Sequence, residues 1–308
     1  MPGAGGHDER RGVLYGIAAY TMWGLFPLYF PLLEPAGPVE ILSHRIVWSL
    51  ATIAAILALG VGFRPLRRML RDRRRVALLT AGAALIAVNW GVYIYAVNSE
   101  HVIEAALGYF VNPLVSVVFG LVVFRERLRP LQTAAVALGA CAVVALTIDY
   151  GRLPWIALVL AVSFGAYGLV KKLADVGSAE GLTLETLVLL GPALGYLAVA
   201  EAGGSASFAH GPASESLLLA SAGPVTAAPL LLFSASVTRI PLTVVGLLQY
   251  ITPTLQFLVG LVLLGEAMPA SRWIGFTLVW IALAVLSVDA IRAAQRSRAA
   301  APPEPALA

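Results

Sequence analysis

Of 308 residues, 59% are apolar and only 12% charged, with a mean hydropathy of +0.84. A soluble domain is about one quarter charged, so this balance excludes a water-soluble globule and describes an integral membrane chain. The net charge of +4 comes from arginines in short loops, which orient a membrane protein without any nucleic-acid partner, and a single cysteine, Cys141, rules out a disulfide-held scaffold.

Ten apolar runs near the length of a bilayer crossing recur at 13–33, 39–60, 77–97, 102–124, 130–148, 153–170, 182–200, 216–236, 241–264 and 271–291. They do not alternate as barrel strands would, and hydrocarbon leaves backbone groups no partner outside their own helix, so the predicted fold is an all-α bundle of ten transmembrane helices. Arg10 and Arg11 precede the first run like a twin-arginine flank. That run is too long for a signal core and has no cleavage site, so it is read as a span. The tails 1–12 and 292–308 lie outside the bundle, and their composition predicts disorder.

Orientation follows from the 21 lysines and arginines. With a cytoplasmic N-terminus, all of them fall on cytoplasmic segments except Arg45, within a span, and Arg152 and Arg272 outside. That bias satisfies the positive-inside rule and predicts both termini in the cytoplasm.

A shift of 140 positions lays Pro113 on Pro253, Gly120 on Gly260, Glu126 on Glu266 and Asp149 on Asp289 without a gap. Two five-helix repeats, 13–149 and 150–291, follow. An odd number of helices per unit inverts the second copy. Charge agrees: "FRERLRP" after the fourth span has three arginines, and its counterpart "LGEAMPA" has none.

Inverted repeats with matching helix breaks are the architecture of secondary transporters. Asn112-Pro113 and Thr252-Pro253 are the matching breaks here. Asn112 lies ten residues into its span, about 15 Å deep at 1.5 Å per residue. A proline frees a carbonyl one turn back, for a ligand or merely for better packing. Candidate substrate-binding residues are Trp23, Arg45, Asn89, Tyr93, Tyr109, Asn112, Gln249, Thr252 and Gln256. Gln249, Thr252 and Gln256 share one helix face.

His44, Glu104 and Glu185 are the candidates for proton coupling. Glu104 and Arg45 share depth and have opposite sign, which predicts a pair across helices two and four. The alternative has Arg45 snorkelling outward and Glu104 capping its own helix. Glu126 and Glu266 are expected to organise the turns into the fifth and tenth spans, and Lys171 and Lys172 to anchor at the interface.

"AYTMWGLFPLYF", "EILSHRIVWSL", "NWGVYIYAVNSEHVIEAALGYFVNPL" and the glutamates closing spans four and nine resemble the RarD group of EamA-type carriers in the drug/metabolite transporter superfamily. The likeness covers residues 12–291 and is tighter in the first half. It implies a five-plus-five carrier for small metabolites or drug-like solutes in a bacterial cytoplasmic membrane, with no established binding residues to carry over. A channel, receptor or scaffold with a polar interior is the alternative function. An enzyme is not expected, since no nucleophile–base pair or metal-ligand spacing occurs, and neither a cofactor nor a metal is called for. No phosphate-binding loop is present, which leaves a proton gradient or exchange as the driving force. The expected partners are a small solute and the lipid bilayer, with association of two copies left open.

Overall fold

A computed structural model describes residues 4–59, 70–125, 127–174 and 178–299, and within them the chain is helical with no strand. Its α-helices are α1 (Ala4–Gly24), α2 (Phe26–Tyr29), α3 (Pro38–Leu59), α4 (Arg73–Asn98), α5 (Val102–Phe124), α6 (Pro130–Tyr150), α7 (Trp155–Ala174), α8 (Ser178–Ala202), α9 (Ala213–Val237), α10 (Leu242–Leu248), α11 (Ile251–Leu258) and α12 (Ala270–Ala299). Among the described residues eight segments are long and apolar enough to cross a membrane, nine when α1 and the segment Phe26–Leu33 count as one bent span. The tenth expected span, α7, holds a shorter apolar stretch, Trp155–Lys171.

Prolines decide where the rods bend, though not everywhere as expected. The first span is not one straight helix: α1 and the segment Phe26–Leu33 meet at 43°. Pro27 has no N–H to offer the Trp23 carbonyl, and Pro31 repeats the defect one turn on. In the ninth span the helix is interrupted at Gln249 and Tyr250, one turn before Pro253, and ends in a π turn, Val259–Leu263.

Helix α5, by contrast, runs unbroken through Pro113, so the two matching breaks expected from the sequence are not equivalent. The neighbouring contacts differ too. Gly108 seats α5 on the α7 backbone so tightly that a Cβ there would stand 2.8 Å from the Ala157 carbonyl oxygen. The position 140 residues on is Leu248, whose side chain meets α1 at Gly16.

Packing is pairwise and reciprocal. α6 lies along α12, α5 against α7 and α11, α1 against α9 and α11, α4 against α7 and α8, and α3 against α8 and α9. α6 and α12 are antiparallel. Asp149 at the end of α6 accepts from Ser271 and from Arg272 Nε (2.9 Å) at the start of α12. Asp289 near the far end of α12 accepts from Arg129 Nε (2.8 Å) at the start of α6.

Between helices in lipid the hydrophobic drive is small, so close packing and hydrogen bonds must hold the bundle. Ile103, Leu107, Phe110 and Leu114 of α5 pack with Phe257 and Phe276 in one apolar cluster. Phe26, Phe30, Ile41, Tyr93 and Ile94 form a second with Ile156 and Leu160 of α7. At Gly223 a Cβ would clash with the Trp48 carbonyl oxygen, so α9 approaches the α3 backbone closely there. Apolar side chains such as Val122, Ile148, Val199 and Val262 point outward, as a lipid-facing surface requires.

Candidate functional site

Arg45 stands in the second turn of α3 and is only 4% exposed. Its guanidinium lies 4.0 Å from the centre of the Trp90 ring, 5.5 Å from Phe26 and 5.8 Å from Phe30. Nε donates to Thr226 Oγ1 of α9 at 2.9 Å, while Nη1 is buried without a partner. Four helical segments therefore converge on one cation. The same turn of α3 holds His44, which stacks on Phe208 at 4.8 Å with both ring nitrogens unpartnered. Glu40 lies 4.0 Å from His44 Nε2 but accepts its hydrogen bonds from the Ser207 N–H (2.7 Å) and hydroxyl (3.1 Å).

Arg45 does not meet Glu104; that expected pair is absent. Glu104, 2% exposed, accepts from both arms of Arg152 (2.8 and 3.3 Å) and from the Ile156 N–H at 3.1 Å. Arg152 reaches it because Gly151, at φ 63°, turns the chain back over the start of α7. Glu104 thus caps α7 rather than its own helix. Its own helix is capped from the other half: Glu266 accepts from Val102 N–H (2.5 Å) and Ile103 N–H (2.9 Å). The expectation that Glu266 organises the turn into the last span fails at this point, because its carboxylate reaches the free N–H groups of α5 instead. Glu126 lies outside the described residues. Glu104, Tyr150, Arg152, Glu266 and Arg272 line a cleft of about 350 Å³. Burial pushes Glu266 above the ordinary carboxylate range, against the pull of its two N–H donors.

Nearer mid-bundle the polar groups of different helices meet. Tyr109 donates to Asn89 Oδ1 (3.1 Å), and Asn89 Nδ2 in turn donates to the Leu160 carbonyl and Ser163 hydroxyl (3.1 Å each). Gln256 Nε2 donates to Tyr93 OH at 2.9 Å and to the Trp23 carbonyl at 3.3 Å, the carbonyl that Pro27 leaves without a helical donor. Thr252 donates to the Tyr20 carbonyl at 2.8 Å. Trp23 itself packs edge-on against Tyr20 (5.5 Å) and beside Phe233 (5.8 Å). Rings continue inward from the Arg45 cage, Phe30 to Tyr93 at 5.9 Å and Tyr93 to Tyr109 at 5.7 Å.

Asn112 Oδ1 is buried without a partner beside Gly165. Gln249 stands at the break before α11, and its side chain makes no hydrogen bond among the described residues. Of the nine candidate binding residues, Arg45, Trp23, Asn89, Tyr93, Tyr109, Thr252 and Gln256 are linked by rings and hydrogen bonds, and Asn112 and Gln249 stand apart from that network.

Glu185, 1% exposed, lies in the second turn of α8. It accepts from Tyr167 OH and from Lys171 Nζ, each at 3.0 Å. Lys171 is therefore an ion-pair partner rather than an interfacial anchor; the side chain of Lys172 lies outside the described residues. Sequence reasoning missed Arg152, Trp90, Thr226 and Phe208. Arg152 had a visible signal as one of two cations that the charge pattern leaves on the far side, whereas Thr226 and Trp90 in apolar helices and Phe208 in the loop before α9 carry none. Among the described residues no group of three or more His, Cys, Asp or Glu is placed to hold a metal ion.

Comparison with known proteins adds the following. Residues 10–148 match the EamA-like transporter family. "Protein RarD" of Streptomyces exfoliatus is 52% identical over 293 residues, covering 95% of this chain and 93% of its own. "Uncharacterized transporter YojE" of Bacillus subtilis is 41% identical, over 92% of this chain and 96% of its own. "Chloramphenicol-sensitive protein RarD" of Pseudomonas aeruginosa is 30% identical, over 92% and 95%. A solved crystal structure of a protein 23% identical overlays 89% of this chain and 96% of its own with a TM-score of 0.57, a likeness of fold alone.

Proposed function

The chain belongs to the RarD group of EamA-like transporters in the drug/metabolite transporter superfamily, and from that premise we propose that it carries a small organic solute across the bacterial cytoplasmic membrane by alternating access. The two halves, 13–149 and 150–291, act as inverted five-helix repeats with both termini in the cytoplasm, and α7 completes the count of ten spans.

One observation carries this reading: the main helix pairs map onto one another when the halves are exchanged. Under that exchange the α1–α9 pair becomes α7–α4, α1–α11 becomes α7–α5, and α3–α9 becomes α8–α4; α3–α8, α5–α11 and α6–α12 map onto themselves. The Asp149–Arg272 and Asp289–Arg129 ties repeat the relation in side chains, since the two aspartates are 140 residues apart. Two shapes related by such an exchange differ little in energy, which is what a carrier open first to one face and then to the other needs.

The solute site is the cluster around Arg45, with Trp23, Asn89, Tyr93, Tyr109, Thr252 and Gln256 in its walls and Asn112 and Gln249 reached as the helices rock. Among the proton-coupling candidates, Glu185 and His44 are the stronger. Glu185 changes partners if Lys171 swings away, and His44 has two free ring nitrogens. Glu104 takes part only by releasing Arg152.

The test is topological and then functional. In a Cys141→Ala background, single cysteines at Arg127 and Ala267 are labelled with a membrane-impermeant maleimide in oriented vesicles. Position 127 reacts from the cytoplasmic face and 267 from the outer face; labelling of both from one face overturns the inverted arrangement. In proteoliposomes loaded with a metabolite panel, a carrier shows saturable counterflow. Conductance without saturation instead supports a channel.

A further inference from the structure

We propose that the Arg45 cage binds the carboxylate group of an organic anion. This inference rests on the carrier reading above and names the substrate class of the same site.

The charge balance comes first. A guanidinium offers five N–H donors, and among the described residues only Nε has a hydrogen-bond partner, a neutral hydroxyl. Among the described residues no carboxylate comes within 4.0 Å of Arg45: Glu40 on its own helix accepts from Ser207, and Glu104 is paired with Arg152. The rings of Trp90, Phe26 and Phe30 attract the cation through their faces but carry no net charge, so they soften its burial without neutralising it. An uncompensated buried charge is a standing destabilisation unless something arrives to pair with it.

What should arrive is set by the neighbouring orphans. Besides Arg45 Nη1, the unpartnered buried atoms on this stretch of α3 are Trp48 Nε1, Ser49 Oγ and the two His44 nitrogens. Trp48 and Ser49 follow Arg45 at i+3 and i+4 and so share its side of the helix. Indole and guanidinium nitrogens only donate, the hydroxyl donates readily, and a neutral imidazole donates from one nitrogen and accepts at the other. Donors therefore outnumber acceptors on this stretch beside one positive charge, which favours an acceptor-only group with one negative charge. A carboxylate matches the flat fork of a guanidinium, and the flanking aromatic rings suit an apolar or aromatic body behind it. A doubly charged phosphate would want a second cation, and among the described residues no other lysine or arginine makes any contact in this cage.

The experiment uses the full-length protein purified in detergent in chloride-free sulfate buffer. Phenylacetate and benzoate are titrated beside their amides, phenylacetamide and benzamide, beside benzylamine and beside chloride, with binding read from tryptophan fluorescence and thermal stabilisation. The acids should bind at least tenfold more tightly than their amides or the amine. Arg45→Gln should erase the difference between acid and amide, Arg45→Lys should keep its sign, and Ser49→Ala should weaken acid binding severalfold at an unchanged ligand-free Tm. Ser49→Ala and Arg45→Lys keep the test valid if Arg45→Gln fails to fold. Amides that bind as well as acids, chloride that binds as well as either acid, failure of both acids to bind, or acid binding untouched by Arg45→Gln would each overturn the proposal.

Counterflow in proteoliposomes separates the two readings. Arg45-dependent acid binding with no exchange across the bilayer removes the carrier and leaves the anion site standing. Exchange of a neutral solute at full rate in Arg45→Gln keeps the carrier and removes the anion site.

Discussion

The end of the bundle that the charge pattern puts outside and the cage around Arg45 treat polar groups in opposite ways. At that outer end, Glu104, Glu266 and Asp149 each accept at least two hydrogen bonds, with Arg152, Arg272, Ser271 and backbone N–H groups as donors. Around Arg45, donors on one helix stretch remain buried and unanswered. A native structure rarely leaves buried polar groups unpaired, and such exceptions concentrate where a ligand or a motion completes them. The difference teaches that charge alone does not mark the site: the paired acids stitch helices together, and the unpaired cation awaits a partner.

The largest way to break this contrast is to unstitch the outer end. Arg152→Ala leaves the Glu104 carboxylate buried with only the Ile156 N–H, and it should cost about 3 kcal/mol, the low end for breaking a buried pair because Arg152 is itself 40% exposed. Thermal unfolding in detergent measures it, and an unchanged midpoint would mean that the outer ties are ornamental. Next in size is Gln256→Leu. It strips the Trp23 carbonyl and Tyr93 hydroxyl of their donor and should cost about 1–3 kcal/mol, whereas Ser49→Ala, which removes an atom without a partner, should stay within about 0.5 kcal/mol. Equal losses in the two variants would erase the distinction between paired and unpaired groups.

The smallest effect sharpens the comparison through pH. Burial raises Glu266 above its unfolded value, so its proton is favoured in the folded protein. Stability from this group is complete below the ordinary carboxylate range and is lost as pH rises through the raised value. The wild-type midpoint should fall slightly over that window, and Glu266→Gln should flatten the trend. A midpoint that climbs instead would show the two N–H donors outweighing burial.

Much of the architecture was legible because lipid imposes it. Apolar length gave nearly every span, and the 140-residue register laid Asp149 on Asp289, each of which accepts from an arginine at the start of the opposite helix. Glu104 and Arg45 show where legibility ended. Depth and sign pointed to a pair, yet direction around each helix axis decides contact, and a charge count cannot supply it. Arg152 reaches Glu104 from the turn at Gly151, where the start of α7 lies over α5. Pro113 and Pro253 make the same point for backbone shape: equal residues sit in unequal helices, one continuous and one interrupted a turn earlier. The Arg45 cage was only half visible. Its cation stood out in the sequence, while Trp90 and Thr226 were indistinguishable from ordinary span residues.

The antiparallel α6–α12 pair has a consequence for how the molecule can move. Each rod is stapled at its head to the tail of its twin, so neither can slide along the other without tearing a tie. A protein braced in this manner has a mast of constant height, and any rocking of its other helices under the proposed mechanism would swivel around that mast rather than stretch or shorten with it.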